Sequence, residues 1–367
     1  MGQDETIFKG VKPIKIEKYY TAKEHLLNIF EREARQLAFD AKSEAEMDAW
    51  RQNLQKKLTD IIGLDKMQTC PLNPTLLEST KMDGYRRDSV IIQTEPDVWM
   101  SMYVLVPDNV DGTAKSLVAP HGHSFGGKYA VAGRDDIPVI KRENEEYRAH
   151  YGLDFVKRGY IVFCPDARGF GERREFVSQG DDECFFTKSS CGWLNKVAIS
   201  LGRTLTGMFV WDLKRLLDYI QTRPDCDSGR IACAGLSGGG MQTLWLSALD
   251  ERIKCAVISG YFYGYKEALM LINGCDCNYV PGLWKLADMG DIAAMIAPRP
   301  LLVEAGSDDP LNGESGTANV KSQVLIAGQA YELHNSKEKL ELYIFEGEHR
   351  WDGKITYDFV DKWIGRL

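Results

Sequence analysis

Residues 231–242 read IACAGLSGGGMQ. A short apolar run ends in Gly235, and Leu236, Ser237, Gly238 and Gly239 follow. One serine among so many glycines, straight after a buried strand, is either a plain turn or a side chain presented for chemistry. The order strand, Gly-x-Ser-x-Gly, helix favours the second reading. It is the order of a nucleophile elbow, in which a tight strand-to-helix turn strains the serine backbone and leaves no room for neighbouring side chains. The helix that follows, from Gly239 to Leu249, turns free N–H groups and its positive dipole end toward the serine.

A serine hydroxyl is a weak nucleophile and needs a base oriented by an acid. In chain order this arrangement runs Ser, acid, His. Two histidines follow Ser237. His334 sits at the end of a helical pattern and reads as a capping or surface residue. His349, in EGEHRWD after the strand pattern LELYIFEG, is the expected base. The acid belongs after the preceding strand, PLLVEAG, where Ser307-Asp308-Asp309-Pro310 follows. Asp309 is preferred, because a residue before proline is held extended and reaches from a loop; Asp308 is the alternative. Glu346 and Glu348 share the short loop of His349 and suit the role less. Oxyanion donors are expected at the backbone N–H of Gly238 and at that of His123 in the early loop PHGHSFGGK. His121 is read either as a loop-shaping or substrate-contacting residue or as one satisfied by local hydrogen bonds.

Outward from this site, strands and helices alternate: SLVAPHG, a helix in residues 142–159, YIVFCPD, a helix in 207–224, RIACAG, KCAVIS, PLLVEAG, a helix in 319–334, LELYIFEG and a last helix. Alternation of this kind predicts an α/β fold with a mainly parallel sheet and helices on both faces. Before it, residues 75–108 hold three strand patterns joined at Asp83-Gly84 and at Glu95-Pro96-Asp97, an antiparallel meander. The first 70 residues predict a helical extension. Thr21/Glu24 and Ser43/Glu46 have capping-box spacing. Leu26, Phe30, Ala34 and Leu37 form one stripe, Trp50, Leu54, Leu58 and Ile61 another, and Gly63 is the stop. The expected division is 1–70 as extension and 71–367 as catalytic domain. Residues 171–200 and 260–284 read as insertions that shape a binding site.

The 367 residues carry a net charge of −8, which argues against general affinity for nucleic acid or anionic membranes. No apolar run reaches ~18 residues, and residues 1–20 show no signal core, so a cytoplasmic protein with reduced thiols is expected. Cys275-x-Cys277 lacks a second pair or a histidine nearby in sequence and reads as a structural loop, so no metal and no cofactor are assigned. Asp166 and Arg168 follow a strand and read either as facing the site or, preferred, as a structural ion pair holding the loop; Trp211-Asp212 reads as packing, and Tyr261, Phe262, Tyr263 and Tyr265 as pocket lining, core or an oligomer contact.

The segments PHGHSFGGK, CPDARGFGERRE, LGRTLTGMFVWDLKRLLDYI, GLSGGG, IAPRPLLVEAGSDDP and GEH together resemble the α/β-hydrolase superfamily. The resemblance is to its branch of dienelactone hydrolase-like proteins and acetyl xylan esterase/cephalosporin-C deacetylase-like esterases, and it covers about residues 75–367. It implies Ser237 as nucleophile, Asp309 as acid, His349 as base and oxyanion N–H groups from His123 and Gly238. The expected function is a serine esterase acting on a small carboxylic ester, of which an acetyl ester of a carbohydrate is one, without metal or cofactor. A homo-oligomer is compatible with the resemblance. The rival readings are a prolyl-oligopeptidase-like serine peptidase and a catalytically idle α/β-hydrolase fold used for binding.

Overall fold

The run IACAG alternates small apolar residues that point to opposite faces of a sheet, and both faces are covered. In the computed structural model, which describes residues 15–365 apart from 111, 124, 125 and 181, Ala232, Ala234 and Leu236 pack with Tyr151, Phe155, Trp351 and Phe359. Ile231 and Cys233 face Leu213, Leu216, Leu217 and Ile220 on the other side. A strand buried on both faces is what a parallel sheet with flanking helices requires.

The strands are β1 (Thr75–Lys81), β2 (Tyr85–Glu95), β3 (Val98–Pro107), β4 (Ala114–Val118), β5 (Ile161–Pro165), β6 (Cys226–Leu236), β7 (Ile253–Ser259), β8 (Leu301–Gly306) and β9 (Leu340–Phe345). They form one sheet in the order β1-β2-β3-β5-β4-β6-β7-β8-β9. The pairs β1/β2, β2/β3 and β3/β5 are antiparallel and the rest parallel. This is the expected α/β fold with its meander. Helices of seven or more residues are α1 (Lys23–Glu33), α2 (Glu44–Ile61), α3 (Pro138–Tyr147), α4 (Tyr151–Lys157), α5 (Cys191–Ser200), α6 (Leu205–Thr222), α7 (Gly238–Leu249), α8 (Thr317–Leu333) and α9 (Thr356–Ile364).

Two local expectations are corrected. Residues 142–159 hold the end of one helix and the whole of another. Arg148 adopts a left-handed φ of 52° and ends α3, and the carbonyl of Tyr147 accepts instead from the N–H of Trp351 at 2.9 Å. Thr21 does not cap α1, which begins at Lys23 with no side-chain cap. Ser43 does cap α2, accepting from the N–H of Glu46 at 3.3 Å, whereas Glu46 reaches the N–H of Lys42 at 2.8 Å. Gly63, at φ 71°, follows the end of α2 as expected.

Phe39, Met47, Leu54, Leu58 and Ile62 are buried in the same cluster as Trp245 of α7, so the described part of the extension rests on the core that carries the elbow. The backbone of residues 35–37 also pairs with residues 284–286: Arg35 with Trp284, Gln36 with Lys285 and Leu37 with Leu286, at 2.8–3.1 Å. Arg35 makes a two-pronged ion pair with buried Asp291 at 2.8 and 2.9 Å.

Asp212, on α6, is the hub of a buried charge cluster. Arg168 donates to it twice, at 2.9 and 2.8 Å, and Arg173 once, at 2.7 Å; Arg168 also reaches Glu95 at 2.8 Å. Burial opposes ionisation of Asp212, but the two guanidinium groups outweigh it and hold its carboxyl well below the ordinary value. Asp166 is paired with Lys128 at 2.6 Å rather than with Arg168, and it accepts from Ser101 at 2.9 Å. Both expected structural roles therefore hold with different partners, and Asp212 is an ionic anchor as well as a packed residue. Removing one partner of a buried pair strands the others without counter-charge. Asp212→Ala is expected to lose about 3–5 kcal/mol of stability, read as a fall in denaturant midpoint, while an exposed charge such as Asp182→Ala leaves the midpoint unchanged.

Candidate active site

Ser237 stands between β6 and α7 at φ 57°, ψ −120°, a region that costs a non-glycine residue about 1–3 kcal/mol. The strain is held by two backbone bonds. The Ser237 N–H donates to the Ser259 carbonyl at 2.8 Å, and the Ser237 carbonyl accepts from Met241 at 2.9 Å. The glycines around it are required by contact. A Cβ on Gly235 would lie 2.4 Å from the Gly239 carbonyl carbon, and one on Gly239 would lie 2.1 Å from the Pro120 carbonyl oxygen. The loop after β4 is thus pressed against the first turn of α7.

That loop carries His121, Gly122 and His123; Ser124 and Phe125 of the same motif lie outside the described residues. His121 is fully buried and shapes the loop. The Ala167 N–H donates to its Nε2 at 3.0 Å, so Nδ1 carries the proton and donates to the Gly122 carbonyl at 2.7 Å. Burial lowers its pKa and keeps the ring neutral. The Gln242 side chain, one turn into α7, ties the His121 carbonyl at 3.1 Å to the Gly238 carbonyl at 3.2 Å. Tyr151 donates to the Pro120 carbonyl at 2.5 Å. A Cβ on Gly238 would meet the His123 ring at 2.8 Å, so the two residues expected to donate oxyanion N–H groups are in direct contact. Gly238 opens α7, and its N–H precedes any intrahelical acceptor.

His349 Nδ1 lies 2.6 Å from Asp309 Oδ2. Asp309 is 3% exposed, and its Oδ1 accepts from the Leu311 N–H at 2.9 Å. Asp308 faces solvent and accepts from Ser307 at 2.8 Å. The imidazole lies over Gly260, where a Cβ would meet it at 2.8 Å, next to Ser259, whose carbonyl holds Ser237. Its Nε2 is buried and has no hydrogen-bond partner among the described residues. With the Nδ1 proton directed at a carboxylate, Nε2 is left as the acceptor, which is the state a general base needs.

Other groups anchor this arrangement, and the sequence reading did not find them. Glu304, buried on β8, accepts from Ser259 Oγ at 2.9 Å, Asp352 N–H at 2.8 Å, Gly353 N–H at 3.1 Å and Thr356 Oγ1 at 2.9 Å. It thereby holds the loop that follows His349, while burial raises its carboxyl pKa against the pull of those donors. Asn312 donates to the Gly306 carbonyl at 2.9 Å and fixes the turn after Asp309. An acid in the middle of a buried strand was the signal available for Glu304. His334 ends α8 and lies 3.6 Å from Glu44, away from the site. Tyr261, Phe262, Tyr263 and Tyr265 are all buried in the core. In the first insertion, Arg174 donates to the carbonyls of Gly171 and Phe185; Asp181 lies outside the described residues. A largely apolar hollow of about 520 Å³ opens beside α1, lined by residues that include Leu26, Phe30, Leu269, Tyr279 and Trp284; Ser237, Asp309 and His349 do not line it.

A sequence profile of the Abhydrolase family matches residues 17–319. The chain belongs to that family. "Putative hydrolase YtaP" of Bacillus subtilis (strain 168) is 28% identical over 285 residues, covering 76% of this chain and 89% of that protein. Among solved structures, a Bacteroides fragilis NCTC 9343 protein described as a "putative acetyl xylan esterase" superposes with a TM-score of 0.72 at 19% identity, covering 89% of this chain and 83% of that one. A glucuronoyl esterase from Solibacter usitatus superposes at 0.62 with 16% identity, covering 89% and 96%. These likenesses bear out the α/β-hydrolase fold. Among the described residues, no helix is long and apolar enough to cross a membrane.

Two outcomes test this geometry. Gly239→Ala forces the Pro120 loop away from α7, and it is expected to cost about 1–3 kcal/mol and to slow labelling of Ser237 by a fluorophosphonate at least tenfold. Glu304→Gln turns an N–H₂ group toward donors and is expected to lose about 1–3 kcal/mol. Hydrogen exchange is then expected to rise at Asp352 and Gly353.

Proposed function

We propose that the protein is a serine esterase that cleaves a small carboxylic ester through an acyl-enzyme. Ser237 is the nucleophile, His349 the general base and acid, and Asp309 the group that orients the imidazole. The observation that carries this reading is the 2.6 Å contact of His349 Nδ1 with Asp309, which leaves Nε2 buried and unpartnered beside the strand end that presents the strained serine.

The steps follow from these positions. Nε2 accepts the Ser237 proton as Oγ attacks the ester carbonyl, and the imidazolium that forms is stabilised by Asp309. The oxyanion is met by the N–H groups of Gly238 and His123, each worth roughly 3–4 kcal/mol in the transition state. Collapse expels the alcohol, which takes its proton from Nε2. Water, deprotonated by His349, then releases the acid and restores Ser237. These steps use side chains and backbone alone.

The names of the relatives support ester hydrolysis, and an acetyl ester of a carbohydrate is the proposed substrate class. The peptidase reading gains nothing from the extension, whose described residues hold two α-helices and one short 3-10 turn and no part of a gating propeller. A cytoplasmic setting is also part of the proposal, on the strength of cysteines that are free of disulfides among the described residues.

Ser237→Ala is expected to reduce hydrolysis of p-nitrophenyl acetate to background. Asp309→Asn should lower kcat about a thousand- to ten-thousand-fold, and Asp308→Asn should leave it within about twofold of the parent. Full activity in Ser237→Ala would overturn the assignment.

A further inference from the structure

Residues far apart in the chain converge beside the oxyanion loop. His123 Nε2 lies 3.0 Å from Cys277 Sγ, 154 residues away. Cys275 Sγ lies 3.0 Å from Cys191 Sγ, 84 residues away. The ligating atoms of His123, Cys275 and Cys277 are all within 4.8 Å of one another, and Cys191 stands outside that set and meets it through Cys275. Cys191 and Cys277 are buried, and His123 and Cys275 are half-buried. The neighbouring histidine that Cys275-x-Cys277 lacks in sequence is thus supplied by the fold, together with a third thiol.

The turn that presents the two cysteines is fixed from outside the cluster. Asn278 donates to the Cys275 carbonyl through its backbone at 3.0 Å and its side chain at 2.9 Å, and it accepts from Tyr261 at 2.6 Å. Thr206 donates to the Cys277 carbonyl at 2.5 Å, and Asn195 to the Asp276 carbonyl at 2.7 Å. Cys191 opens α5, and the N–H of the preceding Ser190 donates to the Gly169 carbonyl at 2.9 Å. The backbones that carry Cys191, Cys275 and Cys277 are therefore placed by bonds that do not involve the thiols.

We infer that Cys191, Cys275, Cys277 and His123 form a binding site for one zinc ion. Three sulfurs and one imidazole are the donor set of a closed tetrahedral structural site, and soft thiolates select zinc over magnesium or calcium. In a filled tetrahedral site with Zn–S bonds of about 2.3 Å and a Zn–N bond of about 2.0–2.1 Å, sulfurs stand about 3.8 Å apart and nitrogen about 3.6 Å from sulfur, so the Cys191–Cys275 pair opens by about 0.8 Å and the His123–Cys277 pair by about 0.6 Å to admit the cation. Binding breaks three S–H bonds, sends three protons to solvent and leaves three thiolates around Zn²⁺ with a site charge of −1. A Cys191–Cys275 disulfide fits less well. Its S–S bond would be about 2.05 Å, and it would leave the Cys277–His123 contact without a purpose. The site joins both insertions to the loop whose His123 ring lies against Gly238, the residue after Ser237. Its role is positional: the four protein ligands leave no open place for substrate.

The test uses the full-length protein, purified under reducing conditions without a metal-affinity tag, stripped with a chelator and titrated with cobalt(II), then with zinc. The expected result is one cobalt per chain, with thiolate-to-cobalt charge-transfer absorption and tetrahedral ligand-field bands, displaced by one equivalent of zinc. Cys277→Ala is expected to weaken binding about a hundredfold or more. Cys191→Ser should keep weaker binding with about one third of the charge-transfer intensity lost, and it carries the test if Cys277→Ala does not fold. The inference is overturned by an absence of cobalt spectra at large excess. It is overturned equally by binding of undiminished affinity and unchanged charge-transfer intensity in both variants, which marks an adventitious ion only, or by thiol counting that finds Cys191 and Cys275 joined in the reduced preparation. No substrate enters these readouts, so their failure and that of the esterase assay are independent.

Discussion

The contact on which the site depends is between two pieces of backbone. The Pro120 carbonyl occupies the space that any side chain on Gly239 would fill. This approach sets the loop after β4 at a fixed distance from the first turn of α7, the closeness that the proposed pair of oxyanion donors requires. Gln242 and Tyr151 clamp the same two segments with hydrogen bonds. The strained φ of Ser237 follows from this crowding, since the chain must leave β6 and enter α7 without room to turn more gradually.

Around this contact the protein uses buried charge where side-chain packing alone would leave loops free. Asp212 gathers two arginines from the loop after β5, Asp166 holds Lys128 and the neighbouring backbone, and Glu304 collects four donors from β7 and the segment behind His349. Such groups contribute little net stability compared with apolar replacements, but each fixes one geometry because a misplaced partner leaves a bare charge. All three lie near strand ends that border the site, where loops carry the chemistry.

The sequence was most informative where chemistry is tied to local order. Ser237, Asp309 and His349 each follow an apolar strand pattern, so their placement at the same edge of the sheet was legible without coordinates. The break at Arg148 was not, because it answers to a hydrogen bond from Trp351, two hundred residues on. Thr21 has the right spacing for a cap but sits one residue too early. Glu304, Gln242 and the meeting of His123 with Cys277 depend on which way side chains point across packed elements. Spacing along the chain carries no information about that. Asp212 was recognised as structural, yet its arginine partners could not be chosen among the many basic residues of the loop.

The pairing of residues 35–37 with 284–286, and of Arg35 with Asp291, has a bearing on how the chain is made. At about 5–20 residues per second, a ribosome delivers Asp291 roughly ten to fifty seconds after Arg35. Until then the segment that holds Phe39, Met47, Leu54 and Leu58 lacks the backbone partners of residues 284–286 and the carboxylate of Asp291, although Phe170, Leu205, Phe209 and Trp245 of the same cluster have already emerged. The helices α1 and α2 are thus made well before the segments that pin them, and their final seat forms only after residue 291 has left the ribosome.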